Sequence, residues 1–248
     1  MKRIKVPPSR TVLEFQSSAR QSRALTCFLL ALLALPVAIS AQTSPDDSGS
    51  QAVNPTVAAQ TAQDVKWLFA LDGRPASQLA ADKRFEPLLA KYFANTEVTF
   101  WSTKSAVKRV PDVAAKYLRG SNTRVAVEHN RYVVASGCVQ GFCEDKGLLW
   151  VDAHIDPDTS QPGLAFAVID VRAGSTHLWL YSNKDFYNSP FTIPQDLRVS
   201  IGKWLTARAP GAPKRIDQAT LVDPTGQQQM DVTPALLGVP LSMIKLAQ

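Results

Sequence analysis

The chain has 248 residues, 45% of them hydrophobic and 19% charged, which is the composition of a globular protein rather than of a disordered or repetitive one. Its formal net charge is +6, but the first 41 residues hold six of the 27 basic residues and one of the 21 acidic ones, so the rest has a net charge of +1. That balance, without a cluster of Lys and Arg interleaved with aromatic residues, excludes nucleic acid as an expected partner.

The N-terminal segment, residues 1–41, has the pattern of a secretory signal peptide. Basic residues dominate positions 1–23, and an apolar run follows over positions 24–39. That run is short for a bilayer span, and the segment ends in small residues up to Ala41 that suit signal peptidase. We therefore expect cleavage after Ala41 and a periplasmic or secreted protein with no membrane association. A retained membrane anchor is the alternative.

The exported chain is predicted to begin with a flexible linker over residues 42–63, which are rich in Ser, Thr, Gln, Ala and Pro and show no apolar period. Order is expected from Asp64, which can cap a short helix. A second helix is predicted over residues 81–93, with its regular part from Phe85, because Pro87 is tolerated only in a first turn. Its apolar face consists of Phe85, Leu88, Leu89, Tyr92 and Phe93.

The middle of the chain is predicted to be β. Strands are expected at residues 125–127, 132–135, 147–155, 164–171 and 176–181. Short turns separate them, and His129 and Asn130 lie in the first turn. Successive strands joined by short turns favour an antiparallel meander. A helix is then predicted up to residue 205, with Thr192 as its cap and Pro194 in its first turn.

These elements predict one α+β domain over residues 64–206, in which helices pack on an antiparallel β-meander sheet. A domain of about 140 residues can bury its own hydrophobic core. Residues 207–248 are rich in Pro, Gly and Gln and are expected to form a loosely ordered C-terminal extension. Within that extension, the apolar segment 236–241 could dock on the domain.

Two cysteines remain after cleavage, Cys138 and Cys143, since Cys27 lies in the leader. In an exported protein they are expected to form one disulfide. Their spacing is not that of a redox Cys-x-x-Cys motif, and no second Cys or His pair completes a zinc site. The closed loop is either a structural staple or a rigid recognition loop. In the second case its target-binding residues are Val139, Gln140, Gly141 and Phe142.

Few side chains suggest catalysis or metal binding. Four residues alternate along a strand end and its turn and could hold a metal, or form a merely polar strand face: Asp152, His154, Asp156 and Asp158. His177 alternates with Trp179 and Tyr181 along a strand, but no nucleophile motif or phosphate-binding loop accompanies it. We expect no enzymatic activity, no cofactor and no metal. A metal-dependent hydrolase that uses His154 is the less favoured alternative.

The segment around the two cysteines resembles a known family. Residues 132–138 read Tyr-Val-Val-Ala-Ser-Gly-Cys, four residues separate the cysteines, and residues 148–150 read Leu-Leu-Trp. This pattern is similar to that of the Ivy family, periplasmic inhibitors of vertebrate (c-type) lysozyme. That family shows Tyr-x-Val-x-Ser-x-Cys, a four-residue loop, Cys and a strand with a Trp. The similarity covers about residues 65–205.

The resemblance implies an Ivy-like fold and inhibition of a peptidoglycan-cleaving enzyme through the loop. In the family the loop reads Cys-Lys-Pro-His-Asp-Cys, and its His enters the lysozyme cleft toward the catalytic carboxylates. Gly141 stands here in place of that His and Phe142 in place of the Asp, so the charge-assisted contact with an acidic cleft is lost.

The expected partner is therefore a protein, either a lysozyme of non-vertebrate type or a lytic transglycosylase. A homodimer is a further expectation that the sequence leaves open. The main alternative function is that of an envelope scaffold or a small-molecule-binding protein on the same fold. In that alternative the bond between Cys138 and Cys143 is only structural, and the protein has no inhibitory activity.

Overall fold

The fold is α+β, as the sequence predicts. The computed structural model describes residues 63–93, 96–98, 108–121, 123–207 and 212–244. The predicted signal peptide, residues 1–41, lies outside the described residues, as does the predicted linker up to residue 62. The described chain forms a seven-stranded mixed sheet and a separate two-stranded sheet, together with helices.

The helices of the described chain lie mostly before the large sheet. They are α1 (Ala76–Ala81), α2 (Phe85–Phe93), α3 (Val110–Arg119) and α4 (Gln195–Thr206). A helical turn at residues 63–66 continues as the 3₁₀ helix Trp67–Leu71, where the sequence predicts the first short helix. The expectation that Thr192 caps α4 is wrong, because its hydroxyl donates to the Ser189 carbonyl at 2.7 Å and α4 begins after Pro194.

The strands of the large sheet follow one another in chain order. They are β3 (Ala126–Glu128), β4 (Tyr132–Val139), β5 (Phe142–Asp152), β6 (Gly163–Arg172), β7 (Ser175–Ser182), β8 (Gln218–Val222) and β9 (Gln229–Val232). The small sheet pairs β1 (Glu97–Val98) with β2 (Lys108–Arg109). From β3 to β7 every neighbouring pair is antiparallel, which confirms the predicted meander.

The turn between β3 and β4 shows why the meander forms. His129 and Asn130 have φ values of 56° and 49°, the left-handed conformation that the two central residues of a type I′ β-turn adopt. Asn is one of the residues that adopt this conformation most readily. After β7, α4 crosses over the sheet, so β8 pairs with β7 in parallel. The sheet is therefore mixed rather than wholly antiparallel.

Both faces of the large sheet are buried. One face packs against α1, α2 and α3, and its strands contribute Val133, Leu149, Val151, Phe166 and Val168. The other face packs against α4 and the C-terminal segment, and its strands contribute Leu148, Trp150, Ala165, Ala167, Ile169, Leu178 and Leu180. The sequence predicts this second set as buried, and all seven residues are. The sheet is thus the middle of three layers.

The C-terminal segment departs from the prediction. Residues 212–244 are not a loosely ordered extension, because they supply β8 and β9 and two short 3₁₀ helices, Pro234–Leu237 and Leu241–Met243. Leu237 and Val239 are buried on the α4 face, as the suggested docking of segment 236–241 requires. The domain therefore does not end at residue 206. A five-residue strand among Pro, Gly and Gln is too short to be predicted from its alternation.

Helices α1 and α3 are not among the predicted elements. The signal for α3 is present, because Val110, Val113, Ala114, Tyr117 and Leu118 recur at helical spacing and all are buried. Pro111 lies in the first turn, where its missing N–H leaves no backbone bond unmade. The six residues of α1 are too few to show a period, and tertiary packing of Leu79 decides their conformation.

Gly238 tests whether the C-terminal segment belongs to the folded core. Its φ is +87°, and a Cβ atom there would lie 2.1 Å from the Arg198 carbonyl oxygen in α4. We expect Gly238→Ala to lower the free energy of unfolding by about 2–4 kcal/mol in urea denaturation. Gly174→Ala is the matched control, because φ is +79° there but the space is open. Gly174→Ala should lower the free energy of unfolding by only about 1 kcal/mol. Equal losses would contradict tight docking of the segment.

Candidate functional site

The two cysteines close a tight hairpin at one end of the sheet. Cys138 and Cys143 are bonded, with Cα atoms 4.9 Å apart, which confirms the predicted disulfide. Val139 pairs with Phe142, so the connection between β4 and β5 has only two residues. Gly141 has a φ of 83°, which favours glycine in such a turn. We call residues 138–143 the disulfide hairpin.

The tip of the disulfide hairpin is open to solvent. Phe142 is 69% exposed, although a ring of this size is normally buried. Gln140 and Gly141 are exposed as well, and Val139 is half-buried. Phe142 is not alone in this respect, since Phe191 is 90% exposed outside the hairpin. The four residues that the sequence predicts as a recognition loop are thus adjacent in space, with one large apolar side chain among them.

The base of the hairpin is held by close backbone contacts with the end of α3. A Cβ atom at Gly137 would lie 2.3 Å from the Tyr117 carbonyl oxygen. A Cβ atom at Gly120 would lie 2.9 Å from the Cys138 carbonyl oxygen. Only glycine permits both approaches, because any side chain would push strand and helix apart. The disulfide hairpin therefore has a fixed position on the domain.

Two of the four predicted metal-binding residues, Asp152 and Asp156, are paired with basic side chains. Asp152 accepts two hydrogen bonds from Arg131, each of 2.7 Å, in the bidentate geometry typical of this pair. It also accepts the backbone N–H of His154 at 2.9 Å. The His154 side chain is exposed. Both carboxylate oxygens of Asp152 are therefore already occupied by hydrogen bonds.

The neighbouring turn is held in a similar way. Asp156 accepts a hydrogen bond from Lys184 Nζ at 2.8 Å and another from the backbone N–H of Asp158 at 2.9 Å. The Lys184 ammonium lowers the pKa of Asp156 below its usual range. The described residues contain no group of three or more His, Cys, Asp or Glu side chains that could hold a metal ion. The polar-face interpretation of this cluster therefore fits better.

A cavity of about 380 Å³ lies above this turn and ends on Trp150. Its wall combines charged and aromatic side chains, including Arg131, Lys184 and Phe186. The Trp150 ring stacks on Tyr132 with centroids 5.2 Å apart, and its buried indole N–H has no hydrogen-bond partner among the described residues. Buried N–H groups usually have a partner. We call this space the Trp150 cavity.

His177 belongs to a chain of three hydrogen-bonded side chains. The Thr220 hydroxyl donates to Asp231 Oδ1 at 2.7 Å, so Thr220 accepts from His177 Nε2 at 2.8 Å. The His177 ring stacks on Trp179 at 4.1 Å. Thr220 is only 2% exposed, which closes the hydroxyl to any substrate. Burial lowers the pKa of His177 below its ordinary value, although the Asp231 carboxylate opposes this shift.

Comparison of the chain with protein-family models, with curated proteins and with solved structures finds no match. Within the described part of the chain, every helix is too short or too polar to cross a bilayer. The disulfide is of the kind that forms and persists in oxidising compartments.

The sequence does not predict the ion pairs that line the Trp150 cavity. Arg131 lies directly before β4 and Asp152 is the last residue of β5, so their pairing depends on the register of β4 against β5. Lys184 reaches Asp156 across 28 positions of the chain. The only sequence signal is that opposite charges stand at the ends of predicted strands, and such charges are usually solvated.

The low pKa of His177 predicts a pH dependence of stability. The unfolded chain binds a proton on His177 as the pH falls through about 6.5, whereas the folded chain resists it. Because of this difference, His177 lowers the free energy of unfolding as the pH falls below about 6.5. In urea denaturation at pH 7.5 to 5.5, the free energy of unfolding should fall less steeply for His177→Gln than for the wild type. His154→Gln controls for the loss of one histidine. Parallel curves for wild type and His177→Gln would contradict the prediction.

Proposed function

We propose that this is an extracytoplasmic protein, periplasmic or secreted, that binds and blocks a peptidoglycan-cleaving enzyme, either a lysozyme or a lytic transglycosylase. The binding element is the disulfide hairpin. The observation that supports this most directly is the 69% exposure of Phe142 at a tip that a disulfide closes. Moving an exposed aromatic side chain from water into a partner's groove lowers the free energy, which favours binding.

The shape of the hairpin suits a cleft. Two paired strands are about 5 Å apart, so a two-residue tip is narrow enough to enter a groove that binds a polysaccharide chain. The disulfide and the contacts of Gly120 and Gly137 with their neighbours hold the tip in one conformation. A rigid tip loses little conformational entropy on binding, which favours affinity.

Charge indicates which enzymes the hairpin can block. Gly141 and Phe142 carry no charge, and the exposed Glu144 and the half-buried Asp145 follow after Cys143. An acidic catalytic cleft would therefore meet an apolar ring flanked by carboxylates, which is electrostatically unfavourable. A target with an apolar subsite and a less acidic cleft fits better than vertebrate c-type lysozyme.

The second candidate function is small-molecule binding on the same fold, without inhibition. The Trp150 cavity favours it, because Trp150 lines the cavity and its indole N–H has no hydrogen-bond partner among the described residues. Its volume of about 380 Å³ is in the range of small-ligand sites. The basic side chains Arg131 and Lys184 in its wall are already paired with Asp152 and Asp156, which weakens them as ligand contacts.

Phe142→Ala tests the recognition role of the hairpin. Burial of this ring in a partner's cleft predicts a loss of target affinity of about tenfold or more, with an unchanged melting midpoint, because the ring lies outside the core. Binding is measured by calorimetry against purified lytic transglycosylases and non-vertebrate lysozymes. Phe191→Ala, which removes another exposed ring, is the matched control and should change neither quantity. Unchanged affinity together with a lower midpoint would support a structural staple instead.

Vertebrate c-type lysozyme provides a second test. We expect weak or no inhibition in a turbidity assay of cell-wall lysis, because no histidine in the hairpin can contact the catalytic carboxylates. The double substitution Gly141→His and Phe142→Asp should increase inhibition, since histidine tolerates the left-handed backbone at position 141. Nanomolar inhibition by the unaltered protein would show that contacts outside the hairpin provide the affinity.

A further inference from the structure

A second cavity, of about 440 Å³, lies at the base of the disulfide hairpin. Trp204, near the end of α4, forms part of the wall of this cavity. The cavity therefore lies on the α4 face of the sheet. The side chains that line it include Ser121, Thr123, Ser136, Cys138, Cys143, Lys146 and Trp204. No carboxylate is among its described lining residues. We call this space the Lys146 cavity.

Lys146 is a largely buried lysine that borders the cavity and has no counter-ion among the described residues. The residue is only 7% exposed, and it lies on β5 between Cys138 of β4 and Ile169 of β6. In the described residues its ammonium group makes no hydrogen bond and no ion pair. Asp170, by contrast, is equally buried but forms an ion pair with Arg172. Buried charges are normally paired, so Lys146 is an exception that calls for an explanation.

The surroundings of Lys146 disfavour its charged form. Burial lowers the pKa of the ammonium group below its ordinary value, and no carboxylate among the described residues raises it again. An anion placed in the cavity would reverse this effect, because it supplies the missing opposite charge at low dielectric. The interaction would be stronger than that of a lysine on the surface, which water already solvates.

A second hydrogen-bond donor faces the same cavity. The Ser136 hydroxyl makes no hydrogen bond in the described part of the chain, whereas the hydroxyls of Ser121 and Thr123 both donate to the Ser136 carbonyl. Ser136, on β4, pairs with Leu148 of β5. It lies two positions before Cys138, which pairs with Lys146. Side chains at such diagonal positions are within reach of one ligand group.

We propose that the Lys146 cavity binds a small organic anion with a single acidic group and an apolar body. Lys146 Nζ and the Ser136 hydroxyl hold the acidic group. The indole of Trp204 and the disulfide contact the apolar body. The volume of about 440 Å³ is in the range of small-ligand sites. This inference does not depend on the function proposed for the hairpin tip, because Phe142 does not line the cavity.

A purely structural role for Lys146 makes a different prediction. If only its aliphatic stem matters, methionine would fill the same space without the cost of a buried charge. In both cases Lys146→Met should raise the melting midpoint of the unliganded protein. Only an anion site predicts that the same substitution removes ligand binding, so the two measurements must be made together.

The probe is octanoate, titrated into the exported protein by calorimetry up to about 10 mM. Octanol has the same chain without the charge, octylamine has the opposite charge, and octyl phosphate distinguishes a phosphate ester from a carboxylate as the preferred group. We expect octanoate or octyl phosphate to bind and the two other compounds to bind at least about tenfold more weakly. Lys146→Met should weaken anion binding by about tenfold or more, and Ser136→Ala by less.

The matched control is Lys214→Met, which removes the charge of an exposed lysine. It should leave anion binding unchanged. The proposal is overturned if neither anion binds the wild type, if octanol binds as well as octanoate, or if Lys146→Met binds the anions as tightly as Lys214→Met. Should Lys146→Met fail to fold, the comparison of octanoate with octanol on the wild type still decides the matter. A loss of enzyme inhibition in Phe142→Ala bears only on the hairpin tip.

Discussion

The contact between α3 and the disulfide hairpin is the constraint on which the proposed function depends. The helix backbone at Tyr117 approaches Gly137 so closely that a Cβ atom would be 2.3 Å from a carbonyl oxygen. The Tyr117 ring in turn packs edge-on against Phe166 of β6, with centroids 6.2 Å apart. The helix is thereby fixed across the sheet, and the hairpin is fixed to the helix. A disulfide alone would make the loop compact but would not set its direction.

Burial of both sheet faces explains why one end of the sheet can carry two different binding features. β5 continues from the exposed Phe142 at the tip, past the buried Lys146, into the apolar centre of the domain. Along the α4 face, Lys146 and Trp150 stand on either side of Leu148. Lys146 lines one cavity and Trp150 lines the other, whereas Leu148 is part of the hydrophobic core. A hairpin tip and a small-molecule cavity can therefore coexist on one strand pair without sharing side chains.

Much of the fold follows from local sequence signals, and the rest depends on long-range contacts. The meander is predictable because its turn residues and apolar alternation agree, as at His129 and Asn130. The strand β8 is not, because its burial depends on parallel pairing with β7 after the α4 crossover. Spacing predicts the disulfide and the exposed tip. The sequence does not predict that Lys146 has no carboxylate beside it in the cavity, because that depends on which side chains three separate segments place there.

Hydrogen exchange measured by mass spectrometry tests the role of the disulfide hairpin most directly. The protein from residue 42 onward is compared alone and in the presence of a saturating, purified lytic transglycosylase. Insertion of a narrow tip into a cleft predicts slower exchange for the amides of residues 139–142, with little change in α1, α2 and β9. Protection centred elsewhere on the domain, with unchanged exchange at residues 139–142, would contradict recognition through the hairpin.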